Sequence, residues 1–517
     1  MNNVLMLLPL LVPILGALLM TNKKLFSEEK LPQLVGGIVS INFLLVVYAL
    51  FFNDVTTIHL LKVNDFLDLY FRIDQLTRVF ALLASTLWIL TAFYAFEYMK
   101  HETRHRQFYT FFTLTLAVIL GVAYSGNLFT LYAYYEVLTL CTLPLVIHTG
   151  SSEALASGKK YMIYSFSGAT LVVLGMMMLY AVTGNMNFTS AGIFTTLLTD
   201  KTQLLRWSYL AMFLGFGVKA ALVPFHSWLP NAMVAPTPVS ALLHAVAVVK
   251  SGIFSLIRIT YFIFGANMVR ALDVTKILMP FVVITIVMGS LLALHQDHLK
   301  KRLAYSTISQ LGYILMGILM LNPNGLLGAM LHLINHAIIK ITLFFVVGSI
   351  TFMTHNKYIY QIKGIGKQMP VTMVCYTIAA ISLIGIPPTN GFVSKWFLGL
   401  GALAIDNLFY VIILLLSAFL TAAYLLPVSV TAFFNSSKEQ LVRDEKNHPV
   451  VRFVTDDEMQ TMDQSGVLVS KGQEEVNIDP PKGMLIPIVI LTVTIIGLGI
   501  YPNAIIAFLN GVIQEAF

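Results

Sequence analysis

Apolar residues in this chain fall into long blocks separated by short polar stretches. Fourteen blocks are resolved, at roughly 3–20, 32–52, 76–97, 108–125, 128–148, 160–183, 207–229, 236–262, 276–296, 303–321, 325–353, 370–400, 406–434 and 483–510. At 1.5 Å per helical residue, each is long enough to cross most or all of a hydrocarbon layer about 30 Å thick. The pattern predicts an all-α polytopic membrane protein of about 14 transmembrane helices. The first block follows Met-Asn-Asn, with no Lys or Arg ahead of it and no small-residue cleavage site after it, so it reads as a retained helix.

Composition agrees with the pattern. Of 517 residues, 57% are hydrophobic and 11% charged, and the mean hydropathy is +0.80. The formal charge of +7 is informative by position rather than in total. Lys23, Lys24 and Lys30, then Lys100, Arg104 and Arg106, then Lys159 and Lys160, then Lys300, Lys301 and Arg302, and finally Lys357, Lys363 and Lys367 occupy loops on one side of the predicted topology. The positive-inside rule makes that side cytoplasmic, which puts both termini outside the cell membrane. The opposite loops are short, such as SGN and NPNG, or carry acids such as Asp54, Asp65 and Asp68. A charge distributed this way does not point to nucleic acid.

Residues 435–482 differ from the rest. They hold ten of the 25 acids and few large apolar residues, as expected of a solvated cytoplasmic linker with a short hairpin around VRFV and VLVS, or of a docking surface for a partner subunit. Cys141 and Cys375 lie inside predicted spans and form no C-x-x-C pair. No iron–sulfur pattern, disulfide framework or glycine-rich nucleotide loop is present, so no redox cofactor or metal is expected in this chain.

Two spans are interrupted by proline. The seventh carries Pro224, Pro230, Pro236 and Pro238, and the twelfth carries Pro387 and Pro388 between Gly385 and Gly391. Proline removes a backbone donor and clashes with the preceding turn, so both helices must break. Unwound backbone at membrane depth survives only where protein or water satisfies it. Paired breaks five helices apart predict two inverted five-helix repeats, at 108–262 and 276–434. They would be preceded by a three-helix segment, 1–107, and followed by the linker 435–482 and a last helix, 483–517.

The candidate chemistry lies in ionisable residues placed where lipid-compatible ones are expected: Glu136, Lys219, His244, Lys250, His332, His336, Lys340 and Lys395. An ionisable group at the bilayer centre costs about 2.5–3.5 kcal/mol on insertion scales, so several on different helices imply a polar interior. A lysine buried beside a movable carboxylate can load and release a proton, and Glu136 is the natural partner of Lys219. Breaking such a pair costs about 3–5 kcal/mol, enough to drive transfer. His332, His336 and Lys340, spaced i, i+4, i+8, share one helical face. Two histidines four apart on one helix cannot take opposite axial positions of one haem, so a proton relay fits them better. His244 and Lys250 are six apart, about 240° around a continuous helix. Lys250 suits a relay, and His244 suits a relay or a polar packing role. His148, His295 and His298 read as surface residues near the interfaces, Arg258 as snorkelling to the outer surface, and Trp228 and Trp396 as packing at the breaks.

Four stretches carry a family resemblance: VPFHSWLPNAMVAPTPVSALLHAVAVVKSG (223–252), LKKRLAYSTISQLGYILMG (299–317), HLINHAIIKITLFF (332–345) and IGIPPTNGFVSKW (384–396). In order, over about 75–510, they resemble the antiporter-like subunits of respiratory complex I, group 4 membrane-bound (Ech-type) hydrogenases and Mrp Na+/H+ antiporters. The resemblance implies a fourteen-helix fold in which two inverted units form half-channels joined by a polar axis. Glu136 and Lys219 match the family's Glu–Lys pair, and His244 and Lys250 the connection between half-channels. His332, His336 and Lys340 match the second relay, and Lys395 the terminal lysine. Two positions depart from the family pattern: Asn231 follows Pro230 where an acid is usual, and Val234 replaces a second acid. The chain ends after the fourteenth span, without the lateral helix of the largest complex I member.

The function expected from these features is translocation of protons, or of sodium, by one membrane subunit of a redox-driven pump. The implied partners are other antiporter-like and small membrane subunits, lipid, and a peripheral arm holding iron–sulfur clusters with a NiFe or flavin group. A subunit of a stand-alone Mrp-type antiporter and a passive membrane scaffold are the alternatives.

Overall fold

The computed structural model describes residues 2–53, 56–64, 67–194, 200–434, 439–443, 449–453 and 477–517. Asp54, Asp65 and most of the 435–482 linker lie outside the described residues. The helices are α1 (Asn2–Thr21), α2 (Leu31–Phe51), α3 (Gln75–Tyr98), α4 (His105–Tyr124), α5 (Leu128–Val146), α6 (Ser152–Thr183), α7 (Thr202–Lys219), α8 (Trp228–Asn231), α9 (Thr237–Ala245) and α10 (Val248–Ile257). They continue with α11 (Gly265–Ala271), α12 (Thr275–Leu294), α13 (Leu299–Leu319), α14 (Pro323–Thr354), α15 (Ile365–Gln368), α16 (Pro370–Ile384), α17 (Asn390–Leu403), α18 (Leu408–Phe434), α19 (Lys482–Ile500) and α20 (Asn503–Ala516). A helix or a broken helix occupies each of the fourteen apolar blocks. Ten helical stretches among the described residues are long and apolar enough to cross a membrane. The protein is an all-α, multi-pass membrane protein.

Side chains that accept from free backbone amides start several of these helices. Asp74 takes the amide of Thr77 at 2.9 Å, Asn127 that of Thr130 at 2.7 Å, Ser151 that of Ala154 at 3.1 Å and Asn322 that of Gly325 at 2.8 Å. Burial then separates centre from perimeter. Every residue of α9 and α10 is buried, as is α14 from Gly325 to Ile350. Outer helices turn large apolar side chains outward, with Leu44 67% and Phe419 72% exposed. In water such a surface would aggregate; against lipid it is neutral. The polar candidates sit on or beside the buried central helices.

The two predicted breaks are present. Helix α7 ends at Lys219, and helix resumes at Trp228; α16 ends at Ile384, and α17 begins at Asn390. At the first break the indole Nε1 of Trp228 donates to the carbonyl of Val218 at 2.9 Å, replacing one bond that the helix loses. At the second, a Cβ on Gly391 would run into the carbonyl of Ser382, so only glycine lets the strands of the break approach.

A third break was not expected. The eighth span is interrupted at Val246–Ala247, between α9 and α10, and turns into a π-helical stretch at Arg258–Phe264. The 240° separation of His244 and Lys250 assumed one continuous helix and does not apply.

Two small hairpins complete the described fold. Strand β1 (Thr57–Lys62) pairs antiparallel with β2 (Asp68–Arg72), and Asp68 meets the His59 ring at 3.1 Å. Strand β3 (Glu439–Arg443) pairs antiparallel with β4 (Pro449–Phe453). Val451–Phe453 of VRFV therefore pair with the preceding EQLVR segment, while the rest of that stretch and VLVS lie outside the described residues. At the end of the linker Asp479 accepts from the amides of Val371 and Thr372, at 3.2 and 3.0 Å, which caps α16.

Candidate ion-translocation axis

Helix α14 organises the second half of the axis. His332 and His336, one turn apart, place their rings 5.9 Å apart. His332 is held at both nitrogens: Nδ1 lies 2.9 Å from Ser394 Oγ and Nε2 lies 3.0 Å from Gln310 Oε1. Its ring stacks on Tyr313, 5.4 Å between centroids. The ammonium of Lys395 sits 5.0 Å from the other end of this group, the Tyr313 ring. Lys395 Nζ also donates to the carbonyls of Leu383 and Ile384, both at 2.8 Å. Those are the carbonyls that the break at the end of α16 leaves free. Lys340, the third member of the face, donates to Ser306 Oγ and to the carbonyl of Leu303 at 3.1 Å.

Lys250 crosses from α10 to α14, its Nζ 2.9 Å from His336 Nδ1. Both groups are wholly buried. An imidazole and an amine at this distance share one proton comfortably, whereas two positive charges would repel. Lys250 lies just beyond the third break, three residues after Ala247. His244 stays on α9, its ring 4.8 Å from Phe344 and both ring nitrogens without a hydrogen-bond partner.

The first half is sparser. Lys219, the last residue of α7, is wholly buried. It donates to the carbonyl of Tyr135 and lies over the Tyr135 ring, 3.3 Å from its centroid. Glu136 is half-buried, with Oε1 unpartnered. The expected Glu136–Lys219 ion pair is not closed: no contact within 4.0 Å joins the two, unlike the closed pairs Arg258–Asp74 and Lys100–Glu97. The lysine instead holds the backbone next to the glutamate.

The comparisons with known proteins bear on this arrangement. Residues 125–421 match the family model "NADH:quinone oxidoreductase/Mrp antiporter, TM", more than half of the chain and a span that holds every candidate residue from Glu136 to Lys395. The chain belongs to this family. Residues 61–109 also match "NADH-Ubiquinone oxidoreductase (complex I), chain 5 N-terminus". NADH-quinone oxidoreductase subunit N of Desulforudis audaxviator (strain MP104C) is 32% identical over 447 residues, covering 86% of this chain and 84% of the relative. Antiporter subunit mnhA2 of Staphylococcus aureus (strain MSSA476) is 36% identical over 363 residues, 66% of this chain and 44% of the relative, so the chain spans less than half of that protein. The fold also matches a chain of the membrane-bound sulfane sulfur reductase, an archaeal respiratory membrane complex. There the TM-score is 0.82 at 23% identity, covering 99% and 97% of the two chains.

Within this antiporter-family chain, sequence reasoning missed the neutral groups that hold the charged ones. Ser306 and Gln310 lie in the 299–317 stretch, where no acidic or basic residue within the apolar span marks them out. Asn335 donates to the Asn390 carbonyl at 2.7 Å and accepts from the Asn390 side chain at 3.1 Å, joining α14 to the second break. A polar residue every third or fourth position, as in YSTISQ and HLINH, was the available signal. Among the described residues no group of His, Cys, Asp and Glu could hold a metal ion.

Three expectations need correcting. Arg258 does not snorkel. It is fully buried and bonds Asp74 through two nitrogens at 2.5 and 2.9 Å, with the Phe188, Phe254 and Phe262 rings around it. His148 is buried rather than superficial, 2.9 Å from the carbonyl of Thr103. Trp396 does not pack into its break but is 57% exposed on the perimeter.

Proposed function

We propose that the chain is an ion-translocating, antiporter-like subunit of a multi-subunit redox-driven pump of the cell membrane, and that protons are its cargo. The observation that carries this reading is the sequence Lys250–His336–His332–Tyr313–Lys395, buried except for the half-buried Lys395, which runs from the centre of the chain to its second break through groups able to exchange protons. On this reading Glu136 and Lys219 begin the axis, and His244 and Lys340 flank its middle. The helix break at Pro387 and Pro388 exposes the carbonyls that steady Lys395, whereas Lys219, ahead of the break at Pro224, is steadied by the Tyr135 carbonyl of α5. Residues 108–262 and 276–434 act as two inverted units, with 1–107 and 483–517 packed outside them. The Lys- and Arg-rich loops face the cytoplasm and both termini face outward. Sodium would want a cage of oxygens, and one half-buried glutamate supplies too few. Electron chemistry belongs to partner subunits with iron–sulfur clusters and a NiFe or flavin group, this chain supplying ion movement alone.

The test is Lys340→Ala in the intact complex, reconstituted in vesicles. Normal assembly with ion pumping reduced roughly tenfold or more is the expected result. Pumping at the parent rate would leave only a scaffold role. Likeness to an Mrp-type antiporter subunit supports a second reading, a stand-alone cation/proton antiporter. Purification of the complex decides between them: a redox subunit that copurifies supports the first, and a set of membrane subunits alone supports the second.

A further inference from the structure

A cavity of ≈ 610 Å³ opens among the Lys- and Arg-rich loops, where the ends of α3 and α14 meet the beginnings of α9 and α13. No residue on its wall was expected to act in translocation. Glu102 lines it, its carboxyl held above the usual carboxylate range by burial, against the pull of Lys300, His101 and His105. Lys300 donates to the carbonyl of Ala235 at 3.2 Å, at the mouth of α9. His298, pushed down to about 4 by burial and by Lys301, Lys300 and Lys357, stays neutral at physiological pH.

Tyr98 lines the cavity, and behind it the buried Thr237, at the start of α9, donates from Oγ1 to Tyr98 Oη at 3.1 Å. One turn back along α3, the Tyr94 ring lies 6.0 Å from that of Tyr98, stacks on Phe345 at 4.0 Å, and its hydroxyl donates to the Phe345 carbonyl at 2.9 Å. Gly348 is needed here, because a Cβ would collide with both Thr237 and the Tyr94 hydroxyl. The residue of α14 just before Phe345 is Phe344, whose ring packs on His244 at 4.8 Å. Both nitrogens of that histidine are buried and unpartnered, and buried polar atoms without protein partners are commonly met by water.

We infer that Tyr98 and Thr237 form a hydroxyl gate through which protons pass between this cavity and His244 of the axis, with Tyr94 as the next stepping stone. The inference rests on the proposed translocation function and gives it a specific opening. Each hydroxyl accepts one proton and releases its own, so no charge is left at the gate. Helix α3, which lies outside both expected repeats, thereby contributes two residues to the route. Thr237→Val keeps the shape and removes the hydroxyl.

The experiment uses the assembled complex in vesicles whose Lys- and Arg-rich face is accessible. Thr237→Val is expected to slow pumping roughly tenfold with normal assembly, and Thr237→Ser to restore it. In a second arm, Thr351→Cys at the cavity wall pumps normally until a membrane-impermeant thiol reagent is added, and then stops. The parent is the control, since Cys141 and Cys375 are buried. Parent-rate pumping by Thr237→Val, or by labelled Thr351→Cys, overturns the gate. If Lys340→Ala is still defective in those preparations, the translocation reading survives without it; if Lys340→Ala also pumps at the parent rate, both fall.

Discussion

The lysines at the two helix breaks occupy contrasting surroundings. Lys395 joins a file of successive polar and aromatic groups: break carbonyls, Tyr313, His332 with Gln310 and Ser394, then His336 at 5.9 Å between rings with its Nε2 unpartnered, and Lys250. Lys219 has one carbonyl and one ring face, with Glu136 nearby but not in contact. No direct hydrogen bond joins Lys219 to Lys250 among the described residues. The second half is built like a wire, and the first like a switch whose contact is open. A wire tolerates little loss at any member, because a missing partner leaves the next polar group buried and unsatisfied. A switch needs one strong contact that can be made and broken.

The largest effect is expected at the junction. Lys250→Ala removes the hydrogen bond that, among the described residues, alone joins α10 to the α14 histidines, and pumping should fall to the background of vesicles lacking the complex, as read by a pH-sensitive dye. Pumping retained at half the parent rate would mean that the halves work separately. Next comes stability. Asp74→Ala leaves Arg258 buried without its carboxylate, and a broken buried pair costs about 3–5 kcal/mol. Thermal unfolding of the purified complex should show a lower transition, while a surface pair such as Lys276–Asp273, 78% and 50% exposed, should be replaceable without detectable change.

Smaller effects separate wire from switch. Gln310→Leu frees one nitrogen of His332 and should slow pumping severalfold, about 1 kcal/mol of lost positioning. Tyr135→Phe should change pumping less than about twofold, since Lys219 uses the carbonyl and ring face rather than the hydroxyl. Equal losses in these two variants would erase the distinction between the halves.

The charged members of the axis were legible because each stands out against an apolar background. The same background hid their neutral partners. Serine, threonine and asparagine hydroxyls and amides within apolar helices often bond their own backbone, as Thr342 does to Ile338 at 2.8 Å. The recurrence of polar residues at helical spacing in YSTISQ and HLINH marks a polar face, but it does not tell that habit from the cross-helix bonds of Ser306, Gln310 or Asn390. The proline breaks could be read from their steric cause. The break at Val246–Ala247 has no proline and follows from packing.

Sequence by itself determined that this is a multi-pass helical protein of the antiporter family, where two of its helices break, and which ionisable groups lie within the membrane. Those features follow from hydropathy, proline sterics and the cost of burying charge, all local properties. Tertiary structure decided which of those groups meet. It set Lys250 on His336, left Glu136 open from Lys219, turned Arg258 inward to Asp74 and brought Tyr98 of α3 onto Thr237 of α9. Each contact joins residues far apart in the chain, so its existence depends on how helices cross and not on what any one helix contains.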